Sequence, residues 1–141
     1  EIAQCLVGSE MCIRDRERVP KNLPALLYAE KIQKRAKKCG FDFPDLESAE
    51  NKVKEELSEL KEASSLSEKT KEGGDLLFAV VNLLRLMKIE PETALSDSSK
   101  KFMARFKKME EILTADGKTL DEFTLGEMDA VWDKVKQGEK G

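Results

Sequence analysis

Two pairs of carboxylates stand out by their spacing. In residues 52–60, KVKEELSEL, Glu56 and Glu59 lie three apart, and in residues 71–86, KEGGDLLFAVVNLLRL, Glu72 and Asp75 do the same. On a helix, residues three apart share a face. Glu56 and Glu59 then flank the apolar stripe of Val53, Leu57 and Leu60, with Lys52 one turn earlier on that flank, and Asn82 falls two turns after Asp75. If the two helices pack antiparallel, both acidic pairs converge. Four carboxylates brought together without a cation repel one another and are driven toward protonation, so such a cluster calls for a hard divalent ion with oxygen ligands, Mg²⁺ or Mn²⁺. Mg²⁺ keeps several waters and binds through a few carboxylates plus substrate phosphates, which directs the reading to a nucleotide or diphosphate substrate. Spacing alone leaves a plainer alternative open: with 28 acidic residues in a chain of 141, such pairs recur on any solvated helix face.

Two further features bear on a phosphate-bearing ligand. Lys101 and Arg105, at i and i+4, form a candidate phosphate clamp, although a solvated face beside Phe102 and Phe106 is the commoner reading. Trp132 is a candidate platform for a base, against the commoner reading of a core aromatic.

Composition removes most other chemistry. There is no histidine, so the Ser-His and Cys-His nucleophile pairs and every histidine-containing zinc site are excluded. The three cysteines, Cys5, Cys12 and Cys39, form no CxxC pair, which argues against a zinc ribbon or a secreted mini-scaffold and for a reducing cytoplasm. With 25 basic against 28 acidic residues the net charge is −3, so no general attraction to nucleic acid or an anionic membrane is expected. No apolar run reaches the roughly 18 residues of a membrane span. The expected setting is soluble and cytoplasmic.

The elements that must position these residues read as helices. Charged residues make up 38% and aromatics 6% of the chain, which favours an all-α fold over a β-sandwich. Asn22, Leu23 and Pro24 read as a helix start and Gly40 as its stop, giving a first helix over about residues 23–39. Asp45 offers an N-cap for a second helix to about Ala63. Residues 64–71 are small and polar and read as a loop, with Ser65 and Glu68 placed like a capping box that opens the third helix. From Leu76 to Met87 only Asn82 and Arg85 are not apolar, so this helix must be buried on most sides. A monomer of four or five helices barely provides that, and a bundle completed by a second copy is expected. Pro91 opens a fourth helix with the stripe Leu95, Phe102, Phe106, Met109 and Leu113, ended by Gly117. Thr124 and Glu127 form a capping box for the last helix, and residues 138–141 read as a frayed tail.

Residues 6–16, LVGSEMCIRDR, resemble the translation of a transposon-type sequencing adapter, so residues 1–16 are expected to be a non-native segment ahead of a domain over residues 17–137.

The runs KVKEELSEL and KEGGDLLFAVVNLLRL, followed by KKFMARFKKMEE at residues 100–111, resemble the MazG family of nucleoside triphosphate pyrophosphohydrolases. The family's EExxE and ExxD signatures are met by Glu55, Glu56 and Glu59 and then by Glu72 and Asp75, and the resemblance runs in order over residues 19–136. It is to the carboxy-terminal catalytic half of a two-domain protein. It implies an all-α NTP pyrophosphatase bundle, a tight homodimer, and Mg²⁺-dependent hydrolysis of nucleoside triphosphates to monophosphate and pyrophosphate with broad base tolerance. By the same resemblance Glu56, Glu59, Glu72 and Asp75 hold the metal, Lys52, Lys101 and Arg105 touch the triphosphate, and Asn82 and Trp132 meet the nucleotide. Glu55, with Glu56, is then the candidate to position or deprotonate the attacking water. A relative restricted to dUTP, dCTP or phosphoribosyl-ATP, and a non-catalytic nucleotide-binding dimer, are the alternatives. One departure is the adjacent Gly73 and Gly74, where the family has a large apolar residue and then glycine; a mid-helix glycine costs about 1 kcal/mol.

Overall fold

The computed structural model describes residues 19–140, so the segment expected to be non-native lies outside the described residues. These residues form five α-helices and one short 3₁₀ turn, with no strand among them: α1 Ala25–Lys38, α2 Leu46–Glu62, α3 Leu66–Leu86, α4 Pro91–Leu113, the turn Leu120–Glu122, and α5 Leu125–Gly138. The fold is all-α, as expected. The described residues divide into two compact units, 19–94 and 95–140, with α4 beginning in the first and running through the second.

Local chemistry sets most of the boundaries in the first unit. α1 starts after Pro24, two residues later than the sequence suggested, because Pro24 rather than Asn22 is the flanking residue. It ends where Gly40 takes a φ of +87°, with the Gly40 N–H donating to the Lys37 carbonyl and the Phe41 N–H to that of Ala36. That paired closure satisfies the last carbonyls of the helix and needs a left-handed residue, which glycine adopts without strain. Asp45 caps α2 by accepting from the Ser48 N–H at 2.8 Å.

Of the stretch over residues 64–71, only Ser64 and Ser65 lie outside a helix. The Ser65 hydroxyl accepts from the Glu68 N–H, and the Glu68 carboxylate accepts from the Ser65 N–H, so the capping box starts α3 at Leu66. Polar composition suggested a loop, but a satisfied cap and packing on α2 outweigh it. Gly73 and Gly74 sit inside this unbroken helix. Only three residues, 63–65, join α2 to α3, so the two fold back on each other. α3 packs against α2 and also against α1.

Val19, Ala49, Ala79 and Val81 are the buried apolar residues of this unit. Leu57, expected on the core stripe, is 41% exposed, and Leu66, Leu77 and Phe78 are 81%, 60% and 40% exposed. The second unit has its own core of Met109, Leu113 and Val135, flanked by Phe106, Val131 and Trp132. α4 ends at Leu113, short of the expected stop at Gly117, and α5 begins at the predicted capping box of Thr124 and Glu127.

Candidate active site

The carboxylates of the α2–α3 hairpin meet. One oxygen from each of Glu56, Glu59 and Glu72 lies within 4.8 Å of the others. Lys52 and Glu56 share a cavity with Asp75, Ala79 and Asn82, so residues earlier on α2 face residues later on α3, the register of an antiparallel pair. Asp75 stands outside the tight trio but lines that cavity, whose volume is about 640 Å³. Within this unit the structure therefore brings together Lys52, Glu56, Glu59, Glu72, Asp75 and Asn82 through one trio of oxygens and one adjoining cavity.

Charge is arranged unevenly among them. Lys52 Nζ contacts Glu56 Oε1 at 2.9 Å and Glu55 Oε2 at 3.4 Å. Its ammonium holds the buried Glu56 carboxyl below the ordinary range, and the same bond raises the Lys52 pKa. Glu59 moves the other way, because the adjoining Glu56 carboxylate and its charge favour the protonated form, with Glu72 adding to the repulsion. Glu55, its side chain 55% exposed, contacts Lys52.

The donor set suits a hard dication. Three carboxylates crowd one spot, and Glu56 Oε2 is buried with no hydrogen-bond partner among the described protein groups. A buried carboxylate oxygen left unpaired is costly, and a divalent ion would satisfy it while relieving the repulsion that raises Glu59.

Three residues that spacing did not single out complete the cavity. Asp42, in the α1–α2 connection, accepts from Arg85 of α3 at 3.2 and 2.5 Å, and Arg85 also donates to Asn82 Oδ1 at 2.9 Å. Gln33 of α1 donates from Nε2 to the Phe78 carbonyl at 3.1 Å. Arg85 is an arginine in an otherwise apolar run, which is the one sequence signal that hinted at a buried partner.

The remaining expected residues lie in the second unit. Trp132 packs on Phe102 with ring centroids 5.2 Å apart, Lys101 is exposed, and Arg105 is engaged by Glu139 at 2.8 Å. Arg105 would have to exchange that carboxylate for a phosphate. Glu139 falls in the tail expected to fray, and this ion pair holds it.

The sequence profile of a family described as phosphoribosyl-ATP pyrophosphohydrolase matches residues 15–102. The chain is 46% identical over 118 residues to the nucleoside triphosphate pyrophosphohydrolase/pyrophosphatase MazG of Thermotoga maritima, an alignment covering 84% of this chain and 46% of that protein. It is 40% identical over 126 residues to the nucleoside triphosphate pyrophosphohydrolase of Escherichia coli K12, covering 86% of this chain and 48% of that protein. The chain thus spans about half the length of these curated relatives. Carried by a match over more than half of its residues, the chain belongs to the phosphoribosyl-ATP pyrophosphohydrolase family.

Proposed function

We propose that this chain hydrolyses nucleoside triphosphates to nucleoside monophosphate and pyrophosphate, with Mg²⁺ or Mn²⁺ as cofactor and with broad base tolerance. The observation that carries the reading is the trio of carboxylate oxygens from Glu56, Glu59 and Glu72, all within 4.8 Å, beside a cavity lined by Lys52 and Asp75. The printed names of the relatives support it.

Glu56, Glu59 and Glu72, with Asp75 at the cavity wall, are the residues that would hold the ion. A bound dication supplies charge neutralisation at the phosphates and a more acidic water. Lys52 supplies a fixed positive charge beside that position. In the reaction the water oxygen bonds to the α-phosphorus, the bond from that phosphorus to the α,β-bridging oxygen breaks, and pyrophosphate leaves with the bridging oxygen. Glu55 or Glu56 takes the water's proton. Lys101, Arg105 and Trp132 are proposed as further nucleotide contacts, Arg105 after release from Glu139.

A homodimer is part of the same reading. Leu57, Leu66, Leu77 and Phe78 expose large apolar surface on α2 and α3, which a second copy would bury. No helix among the described residues is long and apolar enough to cross a membrane, in keeping with a cytoplasmic enzyme acting on the nucleotide pool. The family's description favours one second reading, restriction to phosphoribosyl-ATP. Product analysis over a panel of NTPs, dUTP, dCTP and phosphoribosyl-ATP with Mg²⁺ decides between them: monophosphate and pyrophosphate from many bases supports the first, turnover of one compound supports the second, and no pyrophosphate from any sinks both.

A further inference from the structure

Glu139 stands just past α5, and its carboxylate is held by Arg105 of α4. Arg105 Nε donates to both carboxylate oxygens, at 3.1 and 2.9 Å, and Nη2 lies 2.8 Å from Oε2. The side chains of Arg105 and Glu139 are 19% and 31% exposed, so the pair is partly covered and open to solvent on one side. Two oxygens set against one edge of the guanidinium is how arginine takes a carboxylate and equally how it takes a phosphate, since both offer paired oxygens to the planar fork.

Two features make this carboxylate exchangeable. Lys101, Arg105 and Lys108 recur at i, i+4 and i+7 along α4, and all three charges act on Glu139, the bond to Arg105 foremost, holding its carboxyl below the ordinary range. Among these four groups one negative charge meets three positive ones, so an anion of higher charge suits the face better than a carboxylate does. Glu139 also lies at the C-terminal end of α5, the negative end of the helix dipole, where a carboxylate is disfavoured and a cation favoured. Its own helix therefore does nothing to keep it in place, and Arg105 does. The pair is close in sequence to the aromatic contact of the same unit: Phe102 is three residues before Arg105, and Trp132 is two turns before Glu139.

We propose that Glu139 is a built-in competitor of the substrate: its carboxylate occupies the phosphate seat of Arg105 in the empty protein, and a triphosphate binds there only by displacing it. The inference rests on the reading of Arg105 as a phosphate contact and adds the residue that sets the affinity of that contact. The exchange makes and breaks no covalent bond. The oxygens of Glu139 give up the guanidinium and return to water, and the oxygens of one phosphate take their place, so the carboxylate makes triphosphate binding weaker than the cations alone would allow.

The test measures the Kd of inorganic tripolyphosphate by calorimetry without divalent ion, so that the carboxylate trio takes no part, and the KM of ATP with Mg²⁺, on the full chain and on Glu139→Gln, Arg105→Gln and the double variant. Glu139→Gln keeps the size of the side chain and removes its charge. It is expected to bind tripolyphosphate about threefold or more tightly than the unaltered chain and to lower the KM of ATP by a similar factor. The gain is expected to vanish when Arg105 is also replaced, which separates displacement at that residue from a general change in net charge. Should Arg105→Gln not fold, Arg105→Lys takes its place, and the gain is expected to shrink because lysine lacks the fork. Equal or weaker binding by Glu139→Gln overturns the proposal, the weaker case making Glu139 a residue that positions Arg105. A gain that persists undiminished in the double variant overturns it too, as does tripolyphosphate that binds neither the unaltered chain nor Glu139→Gln. Failure of the hydrolase reading looks different: no ATP is cleaved under any divalent ion, while the tripolyphosphate comparison still decides whether Glu139 competes at Arg105.

Discussion

Asp42 and Arg85 join the α1–α2 connection to the middle of the unit: both terminal nitrogens of Arg85 reach the Asp42 carboxylate, at 3.2 and 2.5 Å, from 43 residues away in sequence. Arg85 is 5% exposed and Asp42 15% exposed at the side chain. The pair fixes the segment that carries Phe41 and Phe43 against α3, and through Asn82 it ties that segment to the polar edge of the cavity.

The bond to Arg85 holds the Asp42 carboxyl below its ordinary value. A carboxylate with a folded-state pKa lower than its unfolded one, about 3.9 for aspartate, contributes stability above that value and loses it as pH falls through the folded pKa. Asp42→Asn is therefore expected to destabilise the protein at neutral pH, by about 3 kcal/mol for a buried pair with one partner removed. The difference from the unaltered chain should shrink below about pH 4. Urea unfolding at a series of pH values measures it, and a difference that stays constant down to pH 2 would count against the pair.

Repulsion inside the trio gives a second expectation. Without a metal, Glu59 faces the Glu56 charge, the cause of its raised pKa, so its charge is a burden at neutral pH. Glu59→Gln should raise the melting temperature of the metal-free protein while reducing the further rise produced by Mg²⁺. A variant that melts lower than the parent without metal, or gains as much from Mg²⁺, contradicts a shared cation site.

Backbone conformation gives a third. A Cβ built on Gly73 or Gly74 meets nothing within 4 Å, so alanine at either position should stabilise α3 by about 0.5–1 kcal/mol. Lys88 closes α3 at a φ of +66°, with its N–H donating to the Arg85 carbonyl and the Ile89 N–H to that of Leu84, the closure that Gly40 makes on α1. Lys88→Gly should gain about 1 kcal/mol by removing left-handed strain. Each change is read as a shift of a few degrees in thermal unfolding, and a loss of stability in all three would show that these positions are constrained by something else.

Much of the site was legible because its signals are local. Asp45, Ser65 with Glu68, and Thr124 with Glu127 cap the helices where their side-chain chemistry says they should, and the i, i+3 spacing of the acids put them on facing flanks once α2 and α3 folded back. What stayed hidden depends on distant partners. Gln33 is one polar residue among many on α1 until the Phe78 carbonyl fixes its amide. Asp42 carries no local signal, because its partner Arg85 lies 43 residues away in the sequence. Leu57 looked like core because periodicity reports which face a residue shares and not what covers that face.

The most direct measurement is pyrophosphate release from ATP by the unaltered chain, Glu56→Gln and Glu72→Gln, as Mg²⁺ is titrated from zero. The unaltered chain is expected to be inactive without the ion and to saturate with it, and each variant to lose on the order of a hundredfold in rate. Release that proceeds in excess chelator, or that survives both substitutions at the parent rate, would contradict catalysis at the Glu56, Glu59 and Glu72 cluster.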